Sequence, residues 1–233
     1  MADVIFHYGF FGIFTIFALG ACGAILFRTV PQLSNAWSHG FAAVASCIAI
    51  AFSLVVLLTG QSFSFAIPTS LPLLEISLRI DALQSFFMLV VSTISVCASV
   101  YGIGSMAHSY GKYNIGSFGF FYNLFIASML LVPSAQHAVY FLVLWEVMSL
   151  ASYVLVTYEH REEGTLHAGY IYFAMTHAAT ACLLFAFLLL HTVTGSFDFD
   201  TIRASVPLLS EPIHIAVLLL ALIAFGAKTG IIP

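Results

Sequence analysis

The stretch FLVLWEVMSLASYVLV, Phe141 to Val156, is apolar enough to lie in lipid, yet it carries a carboxylate, Glu146, near its middle. An ionised side chain at mid-membrane costs about 2.5–3.5 kcal/mol on insertion scales. On a helix turning about 100° per residue, Glu146, Ser149 and Tyr153 fall on one face at i, i+3 and i+7. Such a stripe directs the carboxylate away from lipid. The segment therefore reads as a membrane helix with a polar inward face. Two uses of Glu146 stay open: a structural group hydrogen-bonded across helices, or part of an ion path, the default for an intramembrane ionisable residue.

Composition supports the lipid setting. Of 233 residues, 61% are hydrophobic and only 7% charged, where a soluble domain carries about a quarter charged. The formal charge of −4 is small and its acids sit mostly in loops, so no nucleic-acid footprint exists. The opening MADVIF lacks a basic n-region and runs into a long apolar segment, which reads as a retained first helix. Cys22, Cys47, Cys97 and Cys182 lie singly in different apolar runs with no CxxC pair. They read as small packing groups rather than iron–sulfur or zinc ligands.

A span needs about 20 apolar residues to cross about 30 Å of hydrocarbon. Runs of that kind occupy 5–27, 41–60, 82–103, 118–132, 138–156, 168–193 and 213 to the end. The fold expected is thus an all-α membrane protein of about seven transmembrane helices. PSAQ, 133–136, turns the fourth span directly into the fifth as a tight helical hairpin. Between the second and third spans the period changes. Phe63, Phe65 and Ile67, then Leu74, Ile76, Leu78 and Ile80, alternate with polar or small residues on either side of Pro68–Pro72. Period two predicts a small β-hairpin over 62–81 at the membrane surface, its apolar face covered by headgroups or a neighbouring protein.

The other intramembrane charge is Lys228, between Gly226 and Gly230 and five residues before Pro233. A proline in a helix frees the carbonyl four residues earlier, here that of Thr229. Gly-flanked, Pro-interrupted helices are how transporters expose backbone at an ion site. Glu146 and Lys228, brought together and able to separate, would form a proton-handling switch; the alternative for Lys228 is snorkelling to an interface. ALIAFGAKTGIIP stops inside an apolar helix, so the sequence is expected to be the first part of a longer protein. His177 and His191, fourteen apart, lie about 21 Å apart along one helix. No second helix supplies the matching pair a bis-histidine haem needs, because His214 has Lys228 at that offset. His177, in MTHAAT, is a proton relay or a satisfied core histidine; His191 is placed at the interface.

RIDALQSFFMLV, GFFYNLFIASMLLV, LWEVMSLASYVLV and FGAKTGIIP follow one another as in the antiporter-like membrane subunits of respiratory complex I and its relatives, and the chain resembles that family. The resemblance spans about 79–233 and is strongest to the hydrogenase-4 and formate hydrogenlyase branch. It implies a full protein of about fourteen helices with two inverted five-helix repeats, each containing a broken helix. On that basis 1–117 is an N-terminal three-helix region with its hairpin. Residues 118–233 are an incomplete first repeat, truncated in the broken seventh helix. It also implies that Glu146 and Lys228 gate proton movement through the first half-channel, with Ser149, Tyr153, Thr229, Gly230 and Pro233 as polar support and helix break.

The chain offers no cofactor ligand set, nucleotide loop or activated nucleophile, so redox chemistry is expected on partner subunits carrying Fe–S clusters and, in a hydrogenase, Ni–Fe. The function expected is an H⁺- or Na⁺-translocating subunit of a hydrogenase or complex I-like oxidoreductase in the cell inner membrane, beside other membrane subunits and a peripheral redox arm. The alternatives are a subunit of an Mrp-type Na⁺/H⁺ antiporter without a redox partner, or a membrane anchor. Orientation rests on Arg28, Lys112 and Arg161 against Arg79 and Arg203, which favours an outer N-terminus. A cysteine placed at position 70 should accordingly be labelled from outside; labelling only from the cytoplasm would invert the topology.

Overall fold

The computed structural model describes residues 2–68 and 74–231, apart from the side chains of 2–6 and of residue 68. Its helices are α1 (Ala2–Leu26), α2 (Pro31–Thr59), α3 (Ala82–Ser105), α4 (Ile115–Leu131), α5 (Ala138–Val156), α6 (Thr165–Thr194), α7 (Phe199–Ser205) and α8 (Glu211–Lys228). All but α7 are long and apolar enough to cross a membrane. Strands β1 (Phe63–Pro68) and β2 (Glu75–Ile80) pair antiparallel, Phe63 opposite Ile80 and Phe65 opposite Leu78. This is the all-α membrane fold with a small hairpin that the patterning predicts. The connection 69–73, including position 70 and Pro72, and Pro233 lie outside the described residues.

Local chemistry sets the boundaries. Asp81 caps α3 by accepting from the Leu83 and Gln84 amides at 2.8 and 3.3 Å, and Asn114 caps α4 through Ser117 N, each satisfying an amide the helix leaves unpaired. The second helix begins at Pro31, ten residues before the apolar run at Phe41. The intervening Ser34, Asn35, Ser38 and His39 are polar but buried. Asn35 donates to Ile103 O and to the Tyr110 hydroxyl, both at 2.8 Å, and Ser34 to Ala24 O at 2.8 Å. A hydropathy window reads such residues as loop because it counts polarity and not partners.

Between α2 and α3 the seam is made of small groups. The buried face of α3 runs Ser85, Met88, Ser92, Ser95, Ser99, Gly102, a three-four spacing that lets two backbones approach closely. His39 of α2 fills the notch over Gly102, stacks near Phe118 and Tyr122, and has Nδ1 3.1 Å from Asn35 O. A Cβ at position 102 would lie 2.4 Å from the imidazole.

The base of the hairpin is covered from within the chain rather than by headgroups or a neighbour. Leu78 and Ile80 are buried with Phe10, Ile13, Phe52, Ile126 and Leu130 in a core shared by α1, α2 and α4. Toward the tip Ile67 stays exposed. The hairpin then clasps the far half. Gln136 N donates to Ser77 O at 3.0 Å, Ala138 N to Phe197 O at 2.8 Å and Phe199 N to Gln136 O at 2.9 Å. Arg79 completes the clasp with a two-pronged ion pair to Asp200 at the start of α7. The hairpin, the α4–α5 turn and the α6–α8 connection therefore lie on one side of the helices.

Gly102→Ala should lower stability by about 1–3 kcal/mol, the usual cost of overpacking a closed core; thermal unfolding in detergent measures it, and Gly102→Ala with His39→Ala should recover part of the loss. The clasp should respond to pH. The Arg79 hydrogen bond holds the Asp200 carboxyl below its ordinary value. Its contribution is then full above the ordinary value of about 4 and is lost as pH falls through the lower folded value. Asp200→Asn should speed hydrogen exchange at Gln136 and Phe199 at neutral pH, and parent and variant should converge in strong acid.

Candidate functional site

Lipid outside and protein inside give α5 one tolerable rotation. Trp145, Ser149 and Ser152, at i, i+4 and i+7, share one face, and Glu146 lies about 100° further round. That rotation turns Glu146 toward α6. Its Oε2 is 3.4 Å from Nε2 of His177, while Oε1 is buried without a hydrogen-bond partner. The other ring nitrogen of His177, Nδ1, is 3.0 Å from Phe173 O. A carbonyl only accepts, so Nδ1 carries a hydrogen. Nε2 and the carboxylate then attract each other only with a further proton on one of them. A single proton on either atom would make the 3.4 Å contact attractive.

Lys228 lies on the last turn of α8. Its Nζ donates to Ser149 Oγ at 2.7 Å, and Ser149 in turn donates to Trp145 O at 2.9 Å. The ammonium is 5.3 Å from the Trp145 ring centre and 5.9 Å from that of Tyr172. Glu146 and Lys228 make no direct ion pair here, although the Glu146 charge acts on Lys228 at longer range: the ion-pair partner of Glu146 is His177, and Lys228 rests on Ser149. The reason is angular. Ser149 and Glu146 are adjacent in the stripe, but the α8 end meets α5 at Trp145 and Ser149, while it is His177 of α6 that reaches Glu146.

The remaining positions are placed as follows. Tyr153 packs its ring on Phe173 at 5.2 Å and touches neither charged group. Thr229 ends α8, its hydroxyl donating back to Phe225 O at 3.0 Å. Gly230, at φ 72°, takes the left-handed turn. Gly230 N donates to Ala227 O and Ile231 N to Gly226 O, the pairing of a glycine-terminated helix. The helix thus stops at Lys228 by its glycine, and Thr229 lies past its end. His191 stacks on Phe197 at 4.2 Å, away from the site. Trp145 and Tyr172 escaped the sequence reading. The available signal was the aromatic at i−4 of Ser149, and a tyrosine hydroxyl in a membrane helix that needs an acceptor.

Seven spans with a half-buried carboxylate, an imidazole and a lysine at a helix end fit an antiporter-like membrane subunit. Residues 135–233 match the family described as NADH:quinone oxidoreductase/Mrp antiporter, TM, and 70–114 match NADH-Ubiquinone oxidoreductase (complex I), chain 5 N-terminus. The chain belongs to this family. It is 39% identical to hydrogenase-4 component B of Escherichia coli over 68% of this chain and 23% of that one. It is 28% identical to NADH-quinone oxidoreductase subunit L of Mycobacterium tuberculosis over 93% of this chain and 35% of that one. A chain of the Mrp complex from Dietzia sp. DQ12-45-1b superposes with a TM-score of 0.77 at 21% identity, over 94% of this chain and 23% of that one. The chain thus spans 23% to 35% of these curated relatives' lengths, a multi-pass membrane segment of their common fold.

Histidine-selective ¹⁵N NMR should find Nδ1 of His177 protonated in every state. A neutral His177 with its hydrogen on Nε2 would break the shared-proton reading.

Proposed function

We propose that this chain is part of a proton-translocating membrane subunit, and that Glu146 moves charge by changing partner between His177 and Lys228. The observation that carries the proposal is the paired contact, Glu146 on His177 at 3.4 Å with Lys228 one turn away on Ser149 at 2.7 Å. While Lys228 rests on Ser149, Glu146 and His177 keep one proton between them. When the lysine stem swings over, its ammonium neutralises the carboxylate and the shared proton is no longer held. That proton leaves from Nε2 of His177, and the lysine's return makes room for another. One swing thus moves one proton, and His177 keeps its Nδ1 hydrogen throughout.

The ion fits a proton better than Na⁺. Around Glu146 the polar neighbour is an imidazole nitrogen, whereas a hard cation asks for several oxygens. The family membership supports placing the full-length protein in the cytoplasmic membrane beside other membrane subunits. We place the redox chemistry, with Fe–S clusters and in a hydrogenase Ni–Fe, on a peripheral arm of partners, because the four cysteines here are dispersed and unpaired.

The test uses the full-length protein in its native complex, reconstituted in vesicles. Glu146→Gln keeps the shape and removes the charge, leaving a lysine without its alternative partner at an insertion cost of about 2.5–3.5 kcal/mol, or about a hundredfold in rate. Proton translocation per electron should collapse while assembly survives. Lys228→Met should do the same, and the double variant should be little worse than either, as for groups acting as one unit. Translocation at the parental ratio with Glu146→Gln would leave Glu146 a packing residue.

A further inference from the structure

The partner exchange needs a place for the lysine when it is not on the carboxylate, and α5 and α6 build one. Lys228 Nζ lies over two aromatic faces, Trp145 of α5 at 5.3 Å and Tyr172 of α6 at 5.9 Å, with Ser149 accepting its hydrogen bond at 2.7 Å. None of the three groups carries a charge. Their geometry is fixed from outside the contact. Trp145 is 6% exposed and meets Phe225 of α8 edge-on at 5.7 Å and 84°. Tyr172 donates its hydroxyl to Ser152 Oγ at 2.8 Å, which ties its ring across to α5. The Ser149 hydroxyl spends its hydrogen on Trp145 O, so only its lone pairs face the ammonium.

A ring face attracts a cation through its quadrupole, and the attraction grows when water is excluded. A neutral host suits a group that must leave again. A carboxylate here would hold the ammonium too firmly to be given up, and an aliphatic surface would not hold it at all. We infer that Trp145 and Tyr172, with Ser149, form an aromatic dock for the Lys228 ammonium, and that they position the lysine through the part of the cycle in which Glu146 is engaged by His177. This rests on the partner-exchange reading and adds to it two positioning residues, neither of which bears a titrating proton in the cycle.

The test replaces Trp145, in the full-length protein within its complex, by mono-, di- and trifluorotryptophan through site-specific incorporation. Fluorine drains the ring face of negative potential while leaving its shape almost unchanged, so a merely structural tryptophan would not respond. Proton translocation should fall stepwise with each fluorine, to a total of about two- to thirtyfold, the span corresponding to one cation–ring contact. Tyr172→Phe, which keeps the ring, should stay well above Tyr172→Leu, which removes it. Lys228→Met is assayed in the same vesicles. A flat fluorine series beside an inactive Lys228→Met overturns the dock and leaves the exchange reading standing. A Lys228→Met variant that translocates normally overturns both.

Discussion

A charge carried into lipid must be neutralised by something the protein brings with it, and that requirement fixes the rotation of α5. Turned one way, Glu146 meets lipid and the helix is not stable in the bilayer. Turned as observed, it meets His177, and the same rotation presents Trp145, Ser149 and Ser152 to the end of α8 and to Tyr172. Two sides of one helix, about a quarter-turn apart, therefore make two different kinds of contact. At one the carboxylate meets an imidazole, and at the other neutral groups of α5 and α6 hold the ammonium of α8. Separation of the two by rotation is what makes an exchange of partners conceivable, because neither contact has to be broken for the other to exist.

The halves of the chain are joined at both ends of the helices, by His108–Glu159 and the Phe118–Tyr158 ring contact at one end and by the hairpin clasp at the other. Main-chain hydrogen bonds join the hairpin to the α4–α5 turn and that turn to the α6–α8 connection, with the Arg79–Asp200 pair at the margin. α5 begins directly after this clasp, so the helix that carries Glu146 is anchored at its start, about two turns from the carboxylate. Below the clasp, α1 to α4 form a body with small-residue packing and buried, hydrogen-bonded polar groups. Asn35 and His39 have their hydrogens taken up by fixed carbonyls and a hydroxyl, while Asn35 Oδ1 and Glu146 Oε1 each lack a hydrogen-bond partner.

The limits of sequence reading show where polarity and partners diverge. The start of α2 was missed because Ser34, Asn35, Ser38 and His39 look like a loop until Ala24 O, Ile103 O and Tyr110 are seen to receive them. The short α7 was missed because seven residues, with Phe199 and Ile202 as their packed apolar groups, leave no periodic trace. The hairpin register was legible, since alternation is a local property, but its cover was not, since Phe10, Phe52 and Ile126 come from three helices.

The sequence by itself determined the lipid setting, the seven spans, the hairpin and the intramembrane ionisable groups, because composition and periodicity are properties of neighbouring residues. It did not locate the end of α8, which stops at Lys228 because Gly230 takes the left-handed turn. Only the tertiary structure decided who meets whom. Glu146 and Lys228 look like mates in one dimension, being the two costly charges; in space the packing of α5, α6 and α8 gives the carboxylate to His177 and the ammonium to Ser149, Trp145 and Tyr172. Helix crossing is set by packing between segments far apart in the chain, and no local pattern encodes it.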